Sequence, residues 1–338
     1  MGESASMGRT TTWKRGAVAI DGMYLLLASL LVQQHAYHIN FSDAVALRAQ
    51  RHIRLIALEG DAPWAYRLLV PAAAEAISIP LAALGIDADG AREYGYLSLR
   101  WVMTAALLLL FHRYCRRFLS VQWALTATLL LVALHAPAFM HYWFQPASPL
   151  DLLLWLMATM ITLRGRNDWL PLIVFLGALN RETAVFIIAI HGILRLGHEP
   201  LPKLLLRCAG LGAIWAAVFV GLRQIITPQL WSTEKTVWEM FVRNLDVEWF
   251  FYALSFVGMW GLLPLLGWKK VPDVLKRLTL VMIPYVVLLM LFGRIREVRL
   301  LLPLTIPLIP AAFLVLQGWL AEDAMAEGAA EGAIDQLA

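Results

Sequence analysis

Hydrophobic residues in this chain fall in long blocks rather than in alternation. The first runs from about Ala17 to Ala36. Others follow at about 97–111, 119–140, 148–163, 169–180, 183–194, 208–222, 249–267, 278–293 and 300–320. Crossing a bilayer core takes about 20 consecutive apolar residues in a helix, fewer where a segment is shielded by neighbours. The pattern therefore predicts an all-α fold, a polytopic transmembrane helical bundle of about ten spans. The first block exceeds the apolar core of a signal peptide and ends in LLVQQHAYH, so it reads as an uncleaved span.

Two segments bear on the count. Residues 68–86 (LLVPAAAEAISIPLAALGI) are long enough to cross, but they hold Glu75, Pro71 and Pro80. Crossing there would put the basic HRYCRR turn outside, so the segment is expected to lie on the outer surface or re-enter. Residues 169–194 would be one helix were it not for Arg181 and Glu182 near the centre. Charges at membrane depth are tolerated where they line a polar cavity, so two short helices broken at LNRE are expected. Residues 41–58 show a helical repeat, with Val45, Ala49, Ile53 and Ile56 on one face and Arg48, Arg51 and His52 on the other. That predicts a helix lying in the interface with its basic face towards headgroups.

Composition agrees with the pattern. Of 338 residues, 60% are hydrophobic and 15% charged, with a mean hydropathy of +0.66. A soluble domain has about 45–50% apolar and about 25% charged residues. A cytosolic enzyme, a disordered scaffold and a nucleic-acid binder are thereby excluded. Basic residues then set the orientation. The N-terminus (Arg9, Lys14, Arg15), HRYCRR (112–117), RGRND (164–168), the stretch from Arg195 to Arg207, and KKVPDVLKR (269–277) hold five of the six Lys. These are assigned to the cytoplasm, with both termini. The surplus of Arg over Lys fits a GC-rich, bacterial genome, so the basic pI implies no acidic partner. Cys115 and Cys208 sit beside the basic clusters, where a disulfide would not persist. One domain is expected over 1–320, with a first outer loop at 37–96, followed by a disordered acidic tail at 321–338. No Walker motif, zinc spacing or internal repeat stands out.

Sorting charges by side brings out the chemistry. The outer side receives Asp43, the Arg48/Arg51/Arg54 cluster, Asp61, Arg67, Asp151, Arg181, Glu182, Arg294, Arg296, Glu297 and Arg299. Asp43, just after the first span, suits a general base at the membrane surface, and equally a helix N-cap. Asp61 in LEGDAPWAYR is a second carboxylate candidate, in a string that also makes an ordinary turn. Arg67 offers a forked donor to a phosphate or a lipid headgroup. Trp64 and Tyr66 beside it read as interface-belt aromatics. Arg181 and Glu182, adjacent in sequence, cannot simply pair with each other on a helix and need other partners. GRIREVR (293–299) places three arginines and Glu297 in a short outer turn, where an anionic ligand would offset the crowding. Asp151 opens a span as cap or cavity lining, and His141 with Trp143 offers a sugar-binding face. Asp21, inside the first span, is expected to pair within the bundle. No His/carboxylate spacing points to a metal, and no cofactor is expected.

The strings SDAVAL, APWAYRLLVP, LNRETAVF and GRIREVRLLLP, set in this layout, resemble the GT-C superfamily of integral membrane glycosyltransferases, in a branch not otherwise assigned. The resemblance implies an inner-membrane enzyme that takes a sugar from a polyprenyl-phosphate carrier. It would transfer that sugar, with inversion, to a glycan or lipid acceptor outside the cytoplasm. It places the general base on Asp43 and the arginines near the carrier phosphate on Arg181, Arg294, Arg296 and Arg299. Many members carry two nearby acidic residues in the first outer loop; here Ala44 and Val45 follow Asp43, which leaves the use of a divalent metal open. A secondary transporter or flippase is the alternative, since it too would gather such charges between broken helices.

Overall fold

Each apolar block coincides with a helix in the computed structural model, which describes residues 4–40, 44–138, 146–226 and 236–335. The described helices are α1 (Ser4–Asn40), α2 (Ala44–Ile56), α3 (Leu69–Ala83), α4 (Ala88–Cys115), α5 (Val121–Ala138), α6 (Ala147–Leu163) and α7 (Leu170–Asn180). They continue with α8 (Val185–Arg195), α9 (Leu201–Ile225), α10 (Val237–Asn244), α11 (Val247–Leu266), α12 (Asp273–Phe292) and α13 (Thr305–Asp335). No strand occurs among the described residues. Among the described residues, six stretches are long and apolar enough to cross a membrane: α4, α5, α9, α11, α12, and Val298–Glu322, which joins a 3-10 turn to α13. That is fewer than the ten expected; among the remaining blocks, those in α6, α7 and α8 form helices of 17, 11 and 11 residues, shorter than a full crossing.

α6 lies at the centre. Its buried residues run from Ala147 to Thr162 on every face, as expected for a helix apolar all round. Trp155 of α6 meets Phe186 of α8 and Tyr285 of α12, with ring centroids 5.8 and 5.1 Å away. The periphery is also apolar. Leu205, Leu206 and Ile225 of α9, and Phe250, Phe251 and Leu266 of α11, are exposed. A surface of this kind is stable against lipid and not against water.

Three local outcomes position the site. Segment 68–86 forms α3, which folds back along α4. Gly95 permits the close approach, since a Cβ there would lie 2.7 Å from the Ala74 carbonyl oxygen. The turn between them ends in the Asp87 N-cap, whose carboxylate accepts from the Gly90 amide at 2.9 Å. This cap starts α4 nine residues ahead of the apolar block at 97.

Residues 169–194 are indeed broken: α7 stops at Asn180, Arg181 is extended (φ −165°, ψ 146°), and a 3-10 turn Glu182–Ala184 leads into α8. Gly177 fits the break closely, a Cβ there falling 2.8 Å from the Ala184 Cβ.

α2 forms where the repeat predicts, but its orientation is the reverse of the expectation. Arg48, His52 and Leu55 are buried, whereas Leu47, Ile53 and Ile56 are about half exposed. In an apolar solvent the hydrophobic face turns outward, so the basic face is driven into the protein.

Asp21 pairs with Arg113 of α4 at 3.4 Å, as expected of a charge inside the first apolar block. Both cysteines are free thiols. α13 continues as helix through the acidic segment to Asp335, where the composition predicts a disordered tail. The Ala, Glu and Met there are strong helix formers.

Candidate functional site

The inward face of α2 carries Arg48, Arg51, His52 and Leu55 at helical spacing, and these side chains line a cleft. Trp64 and Arg67 from the loop before α3, Pro71 of α3, Tyr96 of α4, and Pro146 with Ala147 at the start of α6 complete it. The cleft holds about 400 Å³ of empty space, part of it open to solvent. Its described lining contains three arginines and a histidine, and no carboxylate.

The carboxylates stand behind the lining. Glu93 pairs with Arg48, Glu75 accepts from His52 Nε2 at 2.7 Å, and Glu182 pairs with Arg67 at 3.3 Å. None of the three glutamates is itself in the lining, and each fixes a side chain that is, as second-layer partners do in built sites. The His52 ring is held at both nitrogens, since Tyr96 Oη lies 2.9 Å from Nδ1. In the neutral form Nε2–H donates to Glu75 and Nδ1 accepts from the tyrosine. Burial pushes the His52 pKa below its ordinary value, with Glu75 opposing the shift. Burial likewise lowers Arg67, and Glu182 opposes it. Guanidinium groups remain charged at any physiological pH.

A second cavity adjoins the first, with Arg51, Leu55 and Trp64 lining both. Leu47, Gln50, Arg54, Gly60 and Asp61 complete it around about 530 Å³ of empty space. The Arg51 guanidinium sits 4.6 Å from the Trp64 ring centroid, so the two together form the dividing wall.

The start of α6 gathers the site residues expected from the sequence. Asp151 pairs with Arg181 at 3.4 Å, with side chains 2% and 5% exposed, and also accepts from Thr183 Oγ1 at 3.2 Å. Arg299 donates to Ser148 Oγ at 3.4 Å and pairs with Glu297. Asn180 Nδ2 donates to the Ala147 carbonyl at 3.0 Å, tying the end of α7 to the helix that borders the cleft. Glu182, in turn, joins Arg67 to Arg223 of α9 at 3.7 Å, and Arg223 lies 4.2 Å from the Tyr66 ring. Arg67, Asp151, Arg181, Glu182, Glu297 and Arg299 thus form a connected set of charges beside the cleft.

Other expected residues are placed elsewhere. Asp61 lines the second cavity, one oxygen held by Arg54 at 3.0 Å. Arg294 and Arg296 are exposed, and Arg296 faces Glu248 at 3.5 Å. The arginine-rich turn is therefore split, with only Arg299 turned inward. Asn244 of α10 causes the split. Its Nδ2 donates to the carbonyls of Met290 and Gly293 at 2.9 and 2.7 Å, and its Oδ1 accepts from the Ile295 amide at 3.1 Å. Asp43 and His141 lie outside the described residues, as does Trp143. Among the described residues no group of three or more His, Cys, Asp or Glu gathers as a metal site would require.

No family model, curated protein or solved structure matches this chain. Geometry alone therefore carries the assignment of roles. Sequence reasoning named Glu182 but missed Arg48, Arg51, His52, Tyr96 and the supporting Glu75 and Glu93 as parts of one cleft. The signal available was the i, i+3, i+4, i+7 stripe of Arg48, Arg51, His52 and Leu55, read with lipid rather than water as the outside solvent.

Proposed function

We propose that this chain is a membrane glycosyltransferase that takes a sugar from a polyprenyl-phosphate-linked donor. The acceptor is an extracytoplasmic glycan or lipid, and the transfer inverts the anomeric centre. The observation that carries the reading is the inward-turned basic stripe of α2, which lines a cleft with Arg67 and no described carboxylate. Such a lining suits a phosphate, the leaving group of a carrier-linked sugar. The outward Ile53 and Ile56 of the same helix are apolar surface beside which a lipid tail is stable. In the reaction the acceptor hydroxyl oxygen bonds to the anomeric carbon while the carbon–oxygen bond to the phosphate breaks. The electron pair leaves with the phosphate, whose growing charge the arginines stabilise. A carboxylate takes the hydroxyl proton. Asp43 and Asp61 are the candidates for that role.

The wider reading places the ten apolar blocks across a bacterial inner membrane, with the cleft facing outward and both termini inside. The experiment is direct. Membranes holding the overproduced chain are incubated with synthetic polyprenyl-phosphate-linked hexoses and pentoses, and release of the carrier is followed. Carrier release is expected, with Asp43→Asn abolishing it and Arg67→Ala slowing it about 100-fold, the size of effect seen when one transition-state donor is removed. Failure of every carrier-linked sugar to react, with the protein folded, refutes the assignment. A flippase is the second reading, favoured by the buried Asp151–Arg181 pair at the break between α7 and α8. It predicts movement of the intact carrier-linked sugar across a vesicle membrane without cleavage.

A further inference from the structure

The two adjoining cavities differ in chemistry, and that difference is informative. The first is lined by three arginines and a histidine with no carboxylate among the described lining. In the second, Arg54 donates to Asp61 and to the Glu59 carbonyl, at 3.0 and 3.1 Å, so the local charges largely cancel. What remains is a mixed surface. Gln50 supplies both donors and acceptors, and the Asp61 carboxylate keeps an oxygen beyond the one Arg54 holds. Leu47, Leu55 and the Trp64 indole supply apolar area. An anion gains little from such a chamber, because the Asp61 carboxylate faces Arg54 and also acts on Arg51 in the shared wall. A neutral polyhydroxyl compound suits it, since its C–H faces need apolar or aromatic surface and its hydroxyls need paired donors and acceptors.

We propose that the second cavity is a binding site for a neutral glycan, separated from the phosphate-binding cleft by the Arg51–Trp64 wall. Resting on the glycosyl-transfer reading, it is the acceptor side of the reaction: the glycan binds against Trp64 with its hydroxyls on Asp61 and Gln50. The alternative acceptor class, a second lipid, would need a chamber without this density of polar groups. In this arrangement each substrate meets a different face of the same pair of side chains.

The test uses binding rather than turnover, so that it stands apart from the test of transfer. The full-length chain in lipid nanodiscs is examined by saturation-transfer NMR with cellobiose, lactose, maltose and trehalose. Broadening of the inorganic phosphate ³¹P line serves as the parallel probe. At least one disaccharide is expected to bind. Asp61→Asn should weaken that binding about tenfold, as loss of a hydrogen bond to a charged group does. Trp64→Ala should weaken it further, while Arg67→Ala leaves it intact. Arg67→Ala should instead reduce phosphate broadening, and Asp61→Asn should not. Because Trp64→Ala also removes packing, the shape-conserving Asp61→Asn decides the matter if the tryptophan variant does not fold. Absence of binding by all four sugars overturns the proposal, as does equal loss of sugar binding in Arg67→Ala and Asp61→Asn. Loss of the phosphate response alone refutes the donor reading and leaves the sugar site standing.

Discussion

Removing the Asp151 carboxylate probes whether the charges around α6 act as a unit. Asp151 and Arg181 are 2% and 5% exposed, 3.4 Å apart, and Thr183 adds a hydrogen bond at 3.2 Å. Taking one partner from a buried ion pair costs about 3–5 kcal/mol, because the other charge stays buried. The lost Thr183 bond adds about 1 kcal/mol. Glu182, next to Arg181 and also at the break, offsets part of this. A loss of about 3 kcal/mol is therefore expected for Asp151→Leu, roughly a 100-fold shift in the unfolding equilibrium. Replacing both members, Asp151→Leu with Arg181→Met, should recover most of the loss, since an apolar pair of similar volume is often as stable as the ion pair. Equilibrium unfolding of the single and double variants in mixed micelles, titrated with SDS and read by tryptophan fluorescence, gives the coupling energy. If the two single losses simply add in the double variant, the pair contributes no coupling and the reasoning fails.

Two further outcomes follow from groups around the site. Asn244→Ala removes the clamp on the turn after α12 and leaves the Ile295 amide without its acceptor, a cost of about 1–3 kcal/mol. The same variant should speed proteolysis or hydrogen exchange at 293–299, and unchanged exchange there would show that the turn is held by something else. His52 has its folded pKa pushed below the ordinary 6.5 by burial, so the unfolded chain binds the proton more readily. Stability should accordingly fall as pH drops through 6.5 towards the folded value, and the loss between about pH 7.5 and about pH 5.5 should shrink in His52→Gln. Equal acid sensitivity in the two proteins, measured by thermal unfolding, contradicts that sign.

The break at Arg181 was legible because two adjacent charges interrupt an apolar run, and no single helix places both of them favourably. The helix at α2 was legible for a similar reason, from spacing alone. Its orientation was not, since the same amphipathic pattern satisfies a protein in water or in lipid, and only the surrounding helices decide which face turns in. The supporting roles of Glu75 and Glu93 were hidden further. They lie on α3 and α4, and what joins them to His52 and Arg48 is the close approach permitted at Gly95. The fate of the GRIREVR turn depends on Asn244, some 50 positions earlier, a polar residue in a short amphipathic helix with no signature of its own. Charge content marked the region. Tertiary clamps chose which charges face inward.

The fastening of α6 also sets an order of events during synthesis. Ser148 meets Arg299, 151 positions later, and Asn180 and Arg181 reach back to Ala147 and Asp151 over 33 and 30 positions. The ribosome must therefore deliver nearly the whole polypeptide before the last of these ties can close. Until then, the central helix has only its earlier neighbours attached, and the ties that hold it close only after Arg299 has been made.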